Sequence, residues 1–283
     1  MKILVFGRTG QVATELQAQA EVTALSRDQA DLTDPAACAA AIADHAPDVV
    51  INAAAWTAVD RAEEDEAQAT VINGDAPGAM ARECAARAIP LVHISTDYVF
   101  AGDGQTAWTP DDPTGPLGAY GRSKLAGERA IAEAGGQWAV LRTSWVFSAH
   151  GNNFLKTMLR LSETRDALSI VEDQIGGPTP ADRIAEACLV MARAMVDDRN
   201  KGGMHHFAGA PDTSWKGFAE EIFTRAGREV AVSGIATAAY PTPAQRPLNS
   251  RMDCSALKAQ FGIDRPDWRG GIDRALAALR TRS

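Results

Sequence analysis

The apolar run Ile3-Leu4-Val5-Phe6 leads directly into Gly7-Arg8-Thr9-Gly10-Gln11-Val12-Ala13, and this junction constrains the fold more than any other stretch. An apolar run that ends at a glycine turn and restarts with helical spacing reads as strand, turn and helix, the opening of a βαβ unit. Gly7 permits the tight turn, Gly10 lets backbone approach a ligand, and Ala13 lets helix and strand pack closely. Backbone N–H groups and a helix N-terminus then point beyond the strand, an arrangement that suits a pyrophosphate. Gly7 and Gly10 are therefore candidate contacts for a dinucleotide.

The first half repeats this pattern. Strands are predicted at Lys2–Phe6, Val22–Ser26, Val49–Ala53, Pro90–Thr96 and Trp138–Phe147, with helices at Pro35–His45, Asp75–Arg87 and Tyr120–Gly135 between them. Short apolar strands alternating with alanine-rich helices predict an α/β fold, a Rossmann-type doubly wound parallel sheet. The second half predicts helices at Asn152–Arg165, Pro180–Val196, Ser214–Gly227 and Trp268–Arg282, separated by short strands and Pro/Gly-rich loops. In the second of these, Ile184, Cys188, Met191 and Met195 follow a helical stripe and are expected in the core. We expect a dinucleotide-binding domain over 1–150. Residues 151–283 are expected to form mainly a smaller, interleaved α/β substrate-binding region, with some segments returning to the first domain. The Pro/Gly-rich stretch Asp103–Gly118 is expected to be a surface loop.

Composition narrows the partners. Among 283 residues, 28 Lys and Arg stand against 36 Asp and Glu, a net charge of −8. No basic surplus exists to neutralise a phosphodiester backbone, so nucleic acid is not expected. Cys38, Cys84, Cys188 and Cys254 form no C-x-x-C pair, which predicts buried free thiols and a reducing compartment. The leading apolar run is too short for a signal peptide or a membrane span, so a cytoplasmic protein with no membrane partner is expected. His205-His206 lack ligand-like companions, and a strand role is expected for them rather than a metal site.

The second strand bears on the choice of dinucleotide. An acid at its end would bind the ribose 2′-hydroxyl of NADH, whereas an Arg there accommodates the 2′-phosphate of NADPH. Here the strand ends Leu25-Ser26-Arg27, and Asp28 follows only after the arginine, so NADPH is expected to serve at least as well as NADH. Asp31 and Leu32 are placed to border the adenine. Tyr120-x-x-x-Lys124 sets a phenol and an ammonium one helical turn apart on one face. That pair suits carbonyl reduction: Lys124 is expected to lower the Tyr120 pKa, and Tyr120 to give a proton to a ketone oxygen. Ser95 and Thr96 end the preceding strand. For Ser95 strand-end capping is the plain reading, whereas Thr96 is expected to share a hydrogen bond with Tyr120 and the substrate oxygen.

These motifs together resemble an extended short-chain dehydrogenase/reductase, and longer strings narrow the resemblance. Asn52-Ala53-Ala54-Ala55-Trp56-Thr57-Ala58-Val59-Asp60, Ser95-Thr96-Asp97-Tyr98-Val99-Phe100, Tyr120-Gly121-Arg122-Ser123-Lys124 and Leu141-Arg142-Thr143-Ser144-Trp145-Val146-Phe147 are similar to the dTDP-4-dehydrorhamnose reductase family. So are Gly151-Asn152-Asn153-Phe154, Asp173-Gln174-Ile175-Gly176-Gly177-Pro178-Thr179 and the run from Tyr240 to Arg251. The resemblance implies reduction of the 4-keto group of dTDP-4-dehydro-β-L-rhamnose by NADPH or NADH, the last step of dTDP-L-rhamnose synthesis. It implies Tyr120 as general acid with Thr96 beside it, Lys124 holding the nicotinamide ribose and tuning Tyr120, and Gly10, Gln11, Val12, Asp31, Leu32, Ala54, Ala55, Trp56 and Thr57, with Tyr120 and Lys124, along the cofactor. Thr96, Asp97, Trp145 and Asn153 would meet the nucleotide-sugar substrate. Arg246 is a candidate for its diphosphate, with a structural salt bridge as the alternative. Trp56 stands where many relatives have His or Tyr. Some members hold Mg²⁺ at a homodimer interface; Glu15 matches one contributing carboxylate, and no other ligand is matched.

Related activities stay in view. Dehydratases of this fold use a Thr-Asp-Glu acid, and Tyr98 stands at the position of that glutamate. A reductase or epimerase acting on another nucleotide-linked keto sugar is the nearest alternative. A non-catalytic regulatory subunit resembling that of methionine adenosyltransferase is another, since a fold alone does not fix function.

Overall fold

Each residue of β1 (Ile3–Phe6) is buried, and successive side chains feed opposite cores. Ile3 and Val5 join one cluster and Leu4 and Phe6 the other, the period-two alternation of a strand covered on both faces. β2 (Thr23–Leu25), β3 (Val49–Asn52), β4 (Leu91–Thr96), β5 (Trp138–Thr143) and β6 (Gly203–Phe207) complete a six-stranded sheet in the order β2-β1-β3-β4-β5-β6. All its pairings are parallel. The computed structural model describes residues 1–281.

Helices cover both faces. α1 (Gln11–Gln19) and α6 (Ala181–Asp197) pack on one side; α2 (Pro35–His45), α3 (Ala76–Ala86) and α4 (Ala119–Ala134) pack on the other. Asp34 starts α2 by accepting the Ala37 N–H, with Pro35 in the first turn, where its missing N–H costs nothing. In α6 the expected stripe Ile184, Cys188, Met191 and Met195 is wholly buried. α4 lies close against the wide turn Val71–Asp75: a Cβ on Gly127 would stand 2.1 Å from the Asn73 carbonyl oxygen.

The sequence placed most elements within a residue or two, and two differences matter. The expected single strand Trp138–Phe147 is broken at Ser144-Trp145, where Trp145 takes φ +48°, and a short strand resumes at Val146–Phe147. The last helix, expected over Trp268–Arg282, runs Trp268–Arg280, and Arg282 lies outside the described residues.

Residues after 150 serve two places. α6 and β6 join the central sheet and its covering layer. α5 (Phe154–Leu161), α7 (Trp215–Ala226) and α8 (Trp268–Arg280) build a separate core around Phe147, Phe218, Trp268 and Ile272. The histidine pair lies on β6, where His205 meets the Gly202 carbonyl and His206 the Trp108 carbonyl. From β1 the chain moves out to β2 and returns to β3 on the other side. The carboxyl ends of β1 and β3 therefore flank a topological switch point, where ligands of open α/β sheets bind.

Candidate functional site

At the switch point Gly7 holds φ +105°, and a Cβ there would press to 3.3 Å from the Ala53 carbonyl oxygen. Only glycine fits that conformation and approach. Gly10 is the N-cap of α1 and makes no side-chain cap bond, leaving the first-turn N–H groups without a capping side chain. The side chain of Val12 is turned into the core, so only its backbone faces the turn. Gln11 accepts hydrogen bonds from Ser148 Oγ at 2.8 Å and Asn153 Nδ2 at 2.9 Å. A glycine that admits no side chain, beside an uncapped helix start, fits a dinucleotide's pyrophosphate. A cleft of about 460 Å³ adjoins the turn, lined in part by Arg8, Thr9, Thr14 and Lys156.

The loop after β3, carrying Ala54, Ala55, Trp56 and Thr57, is held by a residue the sequence reading missed. Asn73 accepts the Trp56 N–H at 2.8 Å and donates to the Trp56 carbonyl at 3.0 Å and to Ser123 Oγ at 2.9 Å. It thus fixes the loop to α4. An isolated asparagine in an alanine-rich helical stretch was the one available signal.

Arg27 and Asp31 meet beyond β2, with Nε donating to Oδ2 at 3.1 Å. Asp31 also accepts the Thr33 N–H, which together with Arg27 holds its carboxyl below the usual range. Leu32 is buried in the core beside Phe6 and Leu25, so it reaches this rim through its backbone.

β4 delivers Thr96 and Asp97 to the sheet's carboxyl end, and α4 brings Tyr120 onto them. Tyr120 lies beside Thr96 and packs edge-on against Tyr98, ring centroids 5.5 Å apart. Thr96 Oγ1 also donates to Asp97 Oδ1 at 3.1 Å and accepts the Tyr98 N–H. Ser95 does not join them: it donates to Glu128 Oε1, 2.5 Å away on α4. Burial drives the Tyr120 pKa above its ordinary value; the Thr96 hydroxyl opposes this, and Asp97 and Tyr98 add to it.

The expectation that Lys124 lowers the Tyr120 pKa is overturned in this arrangement. Lys124 Nζ turns toward β4, donating to the Ile94 carbonyl at 2.8 Å and lying 3.0 Å from His93 Nε2. Tyr120 is thus a phenol that keeps its proton across the neutral range, the state a proton donor needs. Burial pushes Lys124 down to about 8, against the pull of Glu128, and raises Asp97 to about 6.

The facing wall comes from the second half. Trp145, at a φ that bulky residues seldom adopt, stacks on Trp215 with centroids 3.7 Å apart. Gly176 lies under it, where a Cβ would come within 3.0 Å of the indole. Trp215 is pinned through Nε1 to Gln174 Oε1 at 3.0 Å, a partner the sequence reading did not name. Asn153 is occupied differently from its expected substrate contact: its Oδ1 caps α5 and its Nδ2 reaches Gln11. Arg246 Nη2 donates to Asp60 Oδ2 at 2.8 Å, the salt bridge held open as an alternative, while its Nη1 is buried without a protein partner. Asp97 Oδ2 and Thr143 Oγ1 are likewise buried and unpartnered. Glu15 pairs with His150 Nε2 at 2.9 Å, and no cluster of three or more potential metal ligands occurs among the described residues.

Comparison with known proteins follows the same lines. The model of the RmlD substrate binding domain family matches residues 1–281. The chain is 47% identical to a dTDP-4-dehydrorhamnose reductase of Burkholderia thailandensis, covering 96% of this chain and 97% of that one. It is 43% identical to that of Sinorhizobium fredii, over 99% and 98% of the two chains. Among solved structures it superposes, with TM-score 0.91 and 31% identity, on a dTDP-4-dehydrorhamnose reductase from Bacillus anthracis in complex with NADP, covering 98% of this chain and all of that one.

Proposed function

The chain belongs to the dTDP-4-dehydrorhamnose reductase family, and on that premise we propose how its own residues carry out NAD(P)H-dependent reduction of dTDP-4-dehydro-β-L-rhamnose to dTDP-L-rhamnose. The observation that carries the reading is the placement of Tyr120 on α4, packed on Tyr98 and beside Thr96, at the carboxyl edge of the parallel sheet that also carries the glycine turn after β1.

When bound, the dinucleotide supplies a hydride to the ketone carbon. The backbone of Gly7, Gly10, Gln11 and Val12 holds its pyrophosphate, and the Asn73-clamped loop Ala54–Thr57 flanks its nicotinamide end. Tyr120 gives its phenolic proton to the sugar oxygen as charge develops there, and Thr96 orients that oxygen. Asp97 and the Trp145 face border the sugar. The free Nη1 of Arg246 is available to a diphosphate oxygen even while Nη2 holds Asp60.

Glu15 is engaged by His150, so no step here runs through Mg²⁺. No described helix is long and apolar enough to cross a membrane. The four cysteines are buried free thiols, which supports placing the enzyme in the cytoplasm. The excess of acidic residues supports a small-molecule substrate rather than nucleic acid.

The test is NADPH oxidation followed by absorbance, with the keto sugar made from dTDP-glucose by the upstream dehydratase and epimerase. One NADPH consumed per sugar, dependent on both upstream enzymes, is expected. Cofactor binding without oxidation would move the reading to another nucleotide sugar or to the regulatory-subunit role. Arg27→Ala is expected to raise the KM for NADPH roughly tenfold, about 1.4 kcal/mol, and to leave NADH little changed, because the exposed guanidinium at the end of β2 is the group that would meet a 2′-phosphate. Equal losses with both cofactors would remove Arg27 from 2′-phosphate recognition.

A further inference from the structure

The reaction as described gives no part to Asp173 and Gln174, which open the run Asp173-Gln174-Ile175-Gly176. In the fold these two residues join separate segments of the second half. Gln174 is buried, and its carboxamide bridges Trp215, the first residue of α7, and Thr237 in the turn Thr237–Ala239. Its Oε1 accepts from Trp215 Nε1 at 3.0 Å, and its Nε2 donates to Thr237 Oγ1 at 3.1 Å.

That amide has one workable orientation. An indole N–H only donates, so the amide atom facing it must be the oxygen. Thr237 Oγ1 spends its hydrogen on Asp173 Oδ1 at 2.6 Å, which leaves a lone pair for the amide nitrogen. Asp173 also accepts the Thr237 backbone N–H, at 2.9 and 3.0 Å. Indole, amide, hydroxyl and carboxylate thus form a chain in which every donor points toward Asp173.

Trp215 in turn carries Trp145. Phe154 and Phe218 pack against Trp215 at centroid distances of 4.6 and 6.3 Å, so it rests on the core of the second half. Trp145 stacks on it 3.7 Å away and 13° from parallel. Trp145 holds φ +48°, a conformation that surrounding contacts must maintain in a bulky residue. It follows β5 two residues after Thr143, which is in register with Thr96, so it leaves the sheet at the same carboxyl end. Stacking alone lets an indole slide and turn in its own plane; a hydrogen bond at its edge stops that motion.

We propose that Gln174 is a positioning residue for the keto-sugar substrate: by fixing the edge of Trp215 it sets the plane and place of Trp145, the apolar face that meets the C–H face of the sugar ring. The identity of that sugar rests on the reductase reading; the hold of Gln174 on the indole pair does not.

The test starts with circular dichroism of the full-length protein without ligands. Among the described residues Trp145 and Trp215 are the one stacked pair of the six tryptophans, and two stacked indoles give an exciton couplet, identified by its loss in Trp215→Phe. Gln174→Leu keeps the bulk and removes both hydrogen bonds, so it is expected to weaken the couplet. It should also raise the KM for the keto sugar about five- to tenfold, with kcat and the dinucleotide Kd within about twofold of wild type. Trp215→Phe keeps a ring against Trp145 but has no N–H, so adding Gln174→Leu to it should change the KM by less than about twofold more. Gln174→Asn, which draws the amide back from the indole by one methylene, gives the same readings where the leucine variant does not fold. A folded Gln174 variant with an unchanged couplet or an unchanged KM overturns the proposal. So does the same full rise in KM in the Trp215→Phe background, since Gln174 would then act by another route. If the wild-type protein does not oxidise NADPH with this sugar, the reductase reading fails, and the couplet still decides whether Gln174 holds the pair. An active reductase whose KM ignores Gln174 sinks this inference alone.

Discussion

Tyr120→Phe is expected to lower turnover by about 10²–10⁴-fold, the contribution usual for a positioned proton donor, while the protein still binds its dinucleotide. The aromatic ring is retained, and with it the edge-on packing on Tyr98 and the cluster with Trp56, Ala62, Ala69 and Ala119. Only the oxygen beside Thr96 is lost. Since burial keeps this phenol protonated, the variant lacks a proton that the wild-type group holds through the neutral range. The measurements are steady-state NADPH oxidation and a dinucleotide titration on the same preparation. The cost should fall on kcat and kcat/KM alike, the pattern for an interaction made in the transition state. Turnover within about threefold of wild type would remove Tyr120 from the chemistry. Loss of both turnover and binding would instead indicate a collapsed site.

The second large effect is on stability. Arg142 on β5 and Glu128 on α4 are paired at 2.7 Å with almost no exposure, and Arg142 also lies over the Phe100 ring at 4.9 Å. Arg142→Met is expected to cost about 3–5 kcal/mol, because it strands a buried carboxylate with Ser95 as its remaining side-chain donor. The pair as a whole contributes much less than that, since burying both charges is itself costly. Arg142→Met combined with Glu128→Leu should therefore regain much of the loss. Thermal unfolding of the two single variants and the double would measure this, with melting temperatures lower by roughly 10 °C or more for Arg142→Met. A single-variant cost below about 1 kcal/mol would show the pair to be solvated, as surface ion pairs are.

Both effects arise where α4 meets β4 and β5, and the sequence made only part of that meeting legible. Tyr120 and Lys124 were readable as a pair because helical spacing puts residues four apart on one face, whatever the rest of the chain does. The direction of Lys124 was not readable. It depends on His93, 31 residues away along the chain, and the sequence expectation about the Tyr120 pKa failed for that reason. Ser95 and Thr96 are adjacent hydroxyl-bearing residues, yet strand alternation sends one to Glu128 and the other toward Tyr120.

What the sequence by itself determined was local and periodic: the glycine turn after β1, the apolar strands, the buried stripe of α6 and the Tyr-Lys spacing. Backbone sterics and side-chain periodicity act over a few residues, and these features follow from them without knowledge of distant partners. Only the tertiary structure decided that Asn73 clamps the loop after β3, that Asn153 and Glu15 are spent on Gln11 and His150, and that Trp145 breaks its strand to stack on Trp215. Each of these is a contact between segments far apart in the chain. Such contacts are settled by which buried polar groups find partners and which rings pack when the layers close.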